Sequence, residues 1–245
     1  MNKEEYKKMY LQENKHFWFV AKRYFIDAYL EHISKRSKKI LDIGCGTGGL
    51  TSHLKKYGDV IGIDKSPAAI NFSKTRKLKV LKGTAENLPF DDAVFDIVTL
   101  FDVLYHKNVR SVDKSISEAS RILKPSGYIL ITDSALNLIR SGHDSDLGGE
   151  RRFTITKIIK VLKDNGFEPI KYSYIYFTIF PVVLIKRLIV NKLIKSQDIS
   201  DVKNISKLLN NILLILLKTE SKLIKYVSLP WGSSLIVLAQ KQKYY

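Results

Sequence analysis

Cysteine is almost absent from this chain: Cys45 is the single one among 245 residues, so no internal disulfide can form. Acidic residues are also scarce, with 24 Asp and Glu against 41 Lys and Arg, which gives a formal net charge of +17. This charge favours anionic partners, although lysines spread along the chain equally fit a solvated basic face.

Long apolar runs are lacking too. None approaches the roughly 18 residues that a membrane span needs. The N-terminal stretch 1–8 is charged and lacks the apolar core of a signal peptide. We therefore expect a cytoplasmic protein, in agreement with the low cysteine content.

Apolar segments alternate with helical patterns along the central part of the chain. The predicted strands are Lys39–Ile43, Val60–Ile63, Lys79–Leu81, Val94–Leu100, Tyr128–Thr132, Phe167–Tyr174 and Ser234–Ala239. The predicted helices are Leu50–Tyr57, a helix from Ser66, Val109–Leu123 and Thr154–Asn165. Such alternation is typical of an α/β fold, with a mostly parallel sheet and helices on both faces.

The local composition of the chain predicts three structural parts. Residues 1–36 form an N-terminal helical lid rich in aromatic side chains, and 37–176 with 229–245 form a Rossmann-like domain. Residues 177–228 form an apolar helical insertion, with lysines among Val, Leu and Ile. This insertion fits a cap on the sheet, a dimer surface, or peripheral membrane contact through 180–218.

A glycine-rich turn follows the first strand at Ile40–Gly49, where Asp42 ends the apolar run. Glycines at such a turn allow a ligand to approach the backbone closely. The spacing departs from the dinucleotide fingerprint, although Gly49 can serve as a displaced third glycine. The turn alone therefore leaves NAD and S-adenosylmethionine open as ligands.

Two carboxylates help to decide between NAD and S-adenosylmethionine. Asp42 repels a pyrophosphate and suits a ligand that carries an ammonium and a sulfonium group. Asp64, at the end of the second strand, is placed to accept hydrogen bonds from two ribose hydroxyls, which suits either cofactor. The pair favours the sulfonium cofactor.

From Lys39 to Asp133 the chain resembles the class I S-adenosylmethionine-dependent methyltransferases. Asp42–Gly48 matches the first motif of that family, Asp64 its ribose acid, and Ala85–Phe90 the segment beside the adenine. Phe101–His106 resembles the stretch that lines the cofactor and faces the substrate, and Leu123–Gly127 resembles the turn before the fifth strand.

The resemblance implies S-adenosylmethionine as cofactor and a seven-stranded Rossmann-like sheet whose last strand runs antiparallel. The cofactor-binding residues that it implies in the central domain are Asp42, Ile43, Gly44, Cys45, Gly46, Gly48, Asp64, Lys65, Thr84, Ala85, Glu86, Phe101 and Asp102.

Outside this region the chain is similar to a subset of these enzymes that act on small molecules, often in saccharide or lipid-linked pathways. The similar segments are His16–Phe19 with Arg23, Arg151–Thr154 and Leu229–Ser234. The likeness implies that His16, Trp18 and Arg23 close over the cofactor, with Arg23 or His16 pairing with its carboxylate. A Trp–Phe cluster on a helix equally fits core packing.

Methyl transfer from a sulfonium depends mainly on proximity and alignment, and a base is needed only if the acceptor must lose a proton. His106 is the candidate base, and it equally fits a residue that caps its loop. The candidate substrate-binding residues are Tyr105, His143, Arg151 and Arg152. No metal is expected, because His143 with Asp144 and Asp146 matches no strong ligand spacing.

The sequence therefore predicts a methyltransferase, monomeric or homodimeric, that uses in-line displacement on a small-molecule or lipid/saccharide-linked acceptor. The alternatives are a ribose or cap methyltransferase, an NAD-dependent oxidoreductase, and a binding protein with an unused pocket. Nucleic acid is not favoured, because Phe101–Leu104 lacks the Asn/Asp-Pro-Pro-aromatic loop of base-amino methyltransferases. A Pro-Cys nucleophile for cytosine is also absent.

Overall fold

A computed structural model describes residues 3–31, 33, 38–135, 151–185 and 205–243. The strands are β1 (Lys38–Ile43), β2 (Gly58–Asp64), β3 (Lys79–Lys82), β4 (Phe95–Phe101), β5 (Leu123–Ser134), β6 (Phe167–Ile175) and β7 (Ser234–Lys241). The helices are α1 (Lys3–Gln12), α2 (Phe17–Leu30), α3 (Gly49–Leu54), α4 (Pro67–Thr75), α5 (Val112–Ile122), α6 (Ile155–Asp164) and α7 (Lys207–Leu223).

The strands form one seven-stranded sheet in the order β3-β2-β1-β4-β5-β7-β6. Strands β1 to β5 pair in parallel, whereas β7 is antiparallel to both of its neighbours, β5 and β6. The predicted Rossmann-like α/β fold and its antiparallel last strand are thus confirmed. In this arrangement β1, β2, β4 and β5 end at one edge of the sheet, where β7 begins.

Both faces of the sheet are buried, which explains why its central strands are nearly all apolar. Leu41, Val98 and Ile131 pack on one face with α5 and α6, through Ile116 and Ile158 among others. The residues directly before them in each strand pack on the opposite face, with α2 and α7. Those residues are Ile40, Ile97 and Leu130.

The N-terminal segment forms two helices, where the sequence predicted one helical stretch. The chain leaves α1 after Gln12, and His16 then caps α2 by accepting the Trp18 N–H at its Nδ1, at 3.3 Å. Because the chain turns between the helices, α1 lies against α4 while α2 packs on α7. The N-terminal part therefore touches both the central domain and the apolar insertion.

Three element boundaries differ from the predictions. Strand β5 begins at Leu123, before the expected turn, because Phe95 pairs with Leu123 ahead of a register shift. Helix α5 begins at Val112, since the Ser111 hydroxyl caps it by accepting the Lys114 N–H. Helix α7 and the helical residues 180–185 both lie within the predicted helical insertion 177–228, and neither spans its whole length.

Parts of two predicted segments, 136–150 and 186–204, lie outside the described residues. The division of the chain into 1–36, 37–176 with 229–245, and 177–228 stays a prediction. None of the described helices has the length and apolar character required to cross a bilayer.

Candidate functional site

A cavity of about 690 Å³ lies at the edge where β1, β2 and β4 end, and α1 and α2 cover it. This volume is typical of small-molecule sites. The predicted site residues that line it are His16, Trp18, Arg23, Asp42, Ile43, Gly44, Cys45, Gly46, Asp64, Lys65, Thr84, Ala85, Glu86, Phe101, Asp102, Tyr105, His106 and Arg152. The topology thus brings together residues that are far apart in the sequence.

Three predicted site residues are not part of this lining. Gly48 caps α3 with φ +84°, and a Cβ there would meet Leu78 and Ser73, so its role in the fold is structural. Arg151 lies beside the cavity and donates its backbone N–H to the Tyr105 carbonyl at 3.3 Å. His143 lies outside the described residues.

The glycine turn forms the floor of the cavity. Gly44 has φ +71°, and a Cβ on it would lie 2.5 Å from Cγ2 of Val103. Gly46 has φ +54°, and its Cβ position would be 3.2 Å from the Met9 methyl group of α1. Backbone angle and space therefore both require glycine at Gly44, while α1 lies directly over Gly46.

Asp42 is buried in the cavity wall at the end of β1. Its Oδ2 accepts a hydrogen bond from the Thr51 hydroxyl at 2.6 Å, and its Oδ1 accepts one from Thr99 at 2.8 Å. Burial raises the pKa of this carboxyl to about 6, because the charged form loses its hydration. A cationic ligand beside Asp42 would supply a positive charge that stabilises the ionised form of this buried carboxyl group.

Asp64 ends the neighbouring strand and holds the same turn. Its Oδ2 accepts the Gly46 N–H at 2.9 Å and its Oδ1 accepts the Ser66 N–H at 2.8 Å. Burial raises its pKa, and these backbone bonds oppose the rise. Each carboxylate oxygen has a second lone pair, so Asp64 can still accept bonds from a ligand.

Cys45 lies between these two carboxylates in the turn. Burial, followed by the nearby charges of Asp42 and Asp64, raises the pKa of its thiol well above the usual range. The thiol therefore stays protonated at neutral pH, which fits the space-filling role and not that of a nucleophile.

Residues of the predicted lid contact both the cavity and the core. The Trp18 ring stacks on Tyr176 with centroids 4.1 Å apart, and the Tyr176 hydroxyl donates to the Trp18 carbonyl at 2.6 Å. Arg23 lines the cavity, and its Nη2 donates to the Glu13 carbonyl at 2.9 Å and to the Asn14 side chain. Cofactor binding by Trp18 and Arg23 stays a prediction.

A buried contact of the lid with the glycine turn and with the end of α4 was missed from the sequence. Glu13, which follows α1, forms an ion pair with Arg76 and accepts a hydrogen bond from the Thr47 hydroxyl at 2.8 Å. Its carboxylate occupies the position that a Cβ on Gly49 would take. Arg76 also lies over the Tyr10 ring, 4.3 Å from its centroid. The lid is thus fixed to the turn by charge and by shape.

A second, partly buried ion pair was also missed. Lys22 of α2 is 3% exposed and pairs with Asp102, which directly follows β4 and has φ +56°. Both residues line the cavity. No local pattern in the sequence indicated this pair, because its members are 80 positions apart and Lys22 stands in an aromatic helix.

Asp133 lies behind Asp102 and supports the loop after β4. Its Oδ2 accepts the Tyr105 N–H at 3.2 Å and its Oδ1 accepts the Ser134 N–H at 2.8 Å. Burial, and then the charge of Asp102, raise its pKa to about 8. Asp133 is therefore a positioning residue for the loop that carries Tyr105 and His106.

His106 lies on the cavity wall with its ring held by the loop. Its Nδ1 accepts the Asn108 N–H at 3.0 Å. With Nδ1 as an acceptor, the neutral ring carries its hydrogen on Nε2, so it presents a donor there. This bond weighs against His106 as a base, and its catalytic role stays a prediction.

Polar groups line the side of the cavity near β5 and β7. Arg152 lies there, and its Nη1 donates to the Ala135 carbonyl at 2.8 Å. Ser134, at the end of β5, pairs with Ser234, at the start of β7, and both line the cavity with Ser233. The Glu86 carboxylate, near the opposite end, accepts the Ser111 N–H at 2.7 Å.

Among the residues that the structure describes, no group of three His, Cys, Asp or Glu side chains is close enough to hold a metal ion.

Comparison with known proteins identifies the family. A family model for a methyltransferase domain matches residues 41–131. A fatty-acid O-methyltransferase of Mycolicibacterium smegmatis is 33% identical over 124 residues, covering 46% of this chain and 44% of that protein. An uncharacterized protein of Methanocaldococcus jannaschii is 33% identical over 159 residues, covering 62% of this chain and 74% of that protein. The chain spans less than half the length of most of the curated relatives that it matches.

A solved structure supports the same fold. An S-adenosylmethionine-dependent methyltransferase of Thermotoga maritima has a TM-score of 0.59 and 18% identity, covering 98% of this chain and 95% of that chain. Such low identity shows the fold alone. Together with the matched family model, the sheet order and the glycine turn flanked by two carboxylates, it leads to one conclusion: the chain belongs to the class I S-adenosylmethionine-dependent methyltransferases.

Proposed function

We propose that the protein transfers a methyl group from S-adenosylmethionine to a small-molecule or lipid/saccharide-linked acceptor. The observation that carries this proposal is the pair of carboxylates Asp42 and Asp64, at the ends of adjacent strands, on either side of a glycine turn inside one cavity. This arrangement suits a ligand that has a ribose and a positively charged end.

S-adenosylmethionine is the cofactor of this family, and the residues present fit it. Asp64 can accept bonds from ribose hydroxyls, and buried Asp42 favours the cationic end by charge. The Cβ position at Gly44 is filled by the Val103 side chain, so packing in this wall of the cavity requires glycine there. When bound, the cofactor supplies a methyl group already activated by its sulfonium.

The chain's own contribution is alignment and the exclusion of water. Helices α1 and α2 cover the cavity through Tyr6, Met9 and Trp18, and the ion pairs Glu13–Arg76 and Lys22–Asp102 help to hold that cover in place. Tyr105, His106 and Arg152 line the side next to the loop after β4 and the end of β5, where we place the acceptor. Orientation of this kind accounts for most of the rate of an activated displacement.

The acceptor class is inferred from three features. The surface that lines the cavity is mostly apolar, and the Arg152 side chain is part of the lining. In addition, one relative is a fatty-acid O-methyltransferase. These features favour an amphipathic small molecule over nucleic acid, whose backbone needs an open basic groove. Cytoplasmic location, peripheral membrane contact through 180–218, and a monomeric or homodimeric state stay predictions.

The test is product formation. The purified protein is incubated with S-adenosylmethionine that carries an isotopic label in its methyl group, separately with fatty acids, with a lipid extract, with saccharide-linked lipids and with RNA. We expect S-adenosylhomocysteine and a labelled acceptor only in the lipid or small-molecule reactions. Label transfer to RNA alone would establish the alternative function.

A further inference from the structure

Helix α7 exposes an apolar face. Leu208, Ile212, Ile215 and Leu216 are exposed, with Leu208 at 73% and Ile215 at 69%. Their spacing of three and four residues places them on one side of the helix, and Leu223 continues the row. The opposite side, with Leu217, is buried against the core. The helix is thus apolar on both its inner and its outer face.

Basic side chains border this exposed row. Lys207, Lys218 and Lys222 are exposed on α7, and spacings of eleven and four residues place them along one edge of the row. The only acidic residue between Lys207 and Val227 is Glu220. Its carboxylate is buried and accepts the N–H groups of Phe177 and Thr178 at 3.0 Å. The outer side of α7 therefore combines apolar and positive groups without a facing acid of its own.

Two further segments carry exposed apolar side chains. Val182 and Ile185 of the helical segment 180–185 are exposed, at 69% and 57%. Trp231 is half exposed and stacks on Phe177, whose N–H is held by Glu220 of α7. We call α7, 180–185 and Trp231 together the basic–apolar surface.

This surface adjoins the cavity. Val183, between Val182 and Ile185, lines the cavity wall. Asn210 of α7 accepts the N–H of Phe17 at 2.8 Å, and Phe17 is also part of the lining. An apolar molecule bound at the basic–apolar surface would therefore lie close to the cavity, in which we propose that the acceptor is methylated.

We propose that the basic–apolar surface docks on a bilayer that contains anionic lipids. Exposed aliphatic side chains insert between the acyl chains, lysines meet the anionic headgroups, and a tryptophan lies at the interface between them. The net charge of +17 adds a long-range attraction between the protein and the anionic bilayer. Docking itself does not need catalysis, and delivery of an acceptor from the bilayer into the cavity rests on the proposed function.

The test measures binding of the full chain to vesicles by co-sedimentation. Vesicles of phosphatidylcholine are compared with vesicles that also contain phosphatidylglycerol, at low and at high salt. We expect binding only with phosphatidylglycerol, and weaker binding at high salt. Ile215→Glu is expected to weaken it about tenfold or more, and Lys218→Gln with Lys222→Gln about fivefold for each lysine.

Matched controls separate this surface from general charge and apolarity. Leu81→Glu changes an exposed leucine on β3, and Lys79→Gln with Lys163→Gln removes two exposed lysines elsewhere. These variants are expected to bind as the unchanged chain does. Equal losses in both sets, or equal binding to both vesicle types, would overturn the proposal.

Two further outcomes are informative. A dimer that Ile215→Glu dissociates, in a protein that ignores vesicles, would assign the surface to a second copy and also overturn the proposal. Calorimetry with S-adenosylhomocysteine on the same samples keeps the two proposals apart, because cofactor binding is expected in Ile215→Glu and is independent of vesicles. A failure of the titration contradicts the proposed function alone.

Discussion

Lys22, which is buried, forms an ion pair with half-buried Asp102 and so joins helix α2 to the residue directly after β4. Both residues line the cavity. The pair means that the cover of the site and the loop beside it are not independent parts. Several expectations for variants follow from this and from the other contacts of the cavity.

Lys22→Met is expected to lower the free energy of unfolding by about 1–3 kcal/mol, since Asp102 then lacks its partner in a partly desolvated site. We also expect faster proteolysis within α1 and α2, because the lid loses one of the ion pairs that join it to the rest of the chain. Chemical denaturation and limited proteolysis measure the two effects. Lys7→Met, an exposed lysine on α1, is the control. Equal protease sensitivity of Lys22→Met and the control would contradict the assignment.

Asp42→Asn is expected to weaken the binding of S-adenosylmethionine and to stabilise the protein without ligand. Burial raises the pKa of Asp42 to about 6, above its ordinary value of 3.8. The neutral form therefore favours folding, and this contribution is present below pH 4 and is lost as the pH rises through 6. The advantage of the variant in unfolding free energy should grow over that window, to about 3 kcal/mol at most at pH 8.

Cofactor affinity should show the opposite pH dependence. The ionised carboxylate attracts the cationic ligand, so affinity of the unchanged chain is expected to fall as the pH drops below 6, by up to about tenfold per unit. Asp42→Asn should lack this dependence. Titrations at several pH values, with Asp59→Asn at an exposed site as control, measure it. A pH profile shared by all three proteins would assign the titration to another group.

Glu13 and Arg76 should be coupled in a double-mutant cycle. Glu13→Gln and Arg76→Gln each leave one buried charge or donor without its partner, whereas the double variant removes both. We expect each single change to cost about 2–4 kcal/mol and the double variant to cost clearly less than the sum. Thermal or chemical unfolding of the four proteins gives the coupling energy. Additive costs would show that the lid is not held to the glycine turn by this pair.

Gly44→Ala is expected to destabilise the protein and to abolish cofactor binding. The added Cβ would lie 2.5 Å from Val103, and the alanine would have to adopt the positive φ of Gly44. Overpacking and backbone strain each cost about 1–3 kcal/mol. Gly44→Ala with Val103→Ala relieves the contact but not the φ, so we expect it to recover part of the stability. Full recovery would mean that space alone requires the glycine.

The sequence predicted those parts of the site that depend on neighbouring residues. The strand that contains Asp42, the glycine turn and Asp64 are local patterns, and the alternation of strands and helices places the strand ends at one edge of the sheet. For the same reason the α/β class could be derived, whereas the antiparallel last strand was implied by the family resemblance. Element ends differ from the predictions where a strand pairs with a distant one, as at Leu123, or where a side chain caps a helix, as at Ser111.

The contacts that hold the lid could not be predicted in the same way. Lys22 meets Asp102 across 80 positions and Glu13 meets Arg76 across 63, and in the insertion Glu220 meets Phe177 across 43. Lys22, Glu13 and Glu220 stand in segments predicted as helical, where a solvated position fits equally well, so local periodicity carries no sign of a buried partner. The ring orientation of His106 likewise depends on a loop hydrogen bond that no motif encodes.

The central claim is that the cavity binds S-adenosylmethionine through Asp64 and the glycine turn. Calorimetric titration of the unchanged chain and of Asp64→Ala with S-adenosylhomocysteine, and of both with NAD, tests it most directly. The account predicts saturable, equimolar binding of S-adenosylhomocysteine to the unchanged chain, at least about tenfold weaker binding to Asp64→Ala, and no binding of NAD. Binding of NAD in place of S-adenosylhomocysteine, or equal affinity of both proteins, would contradict it.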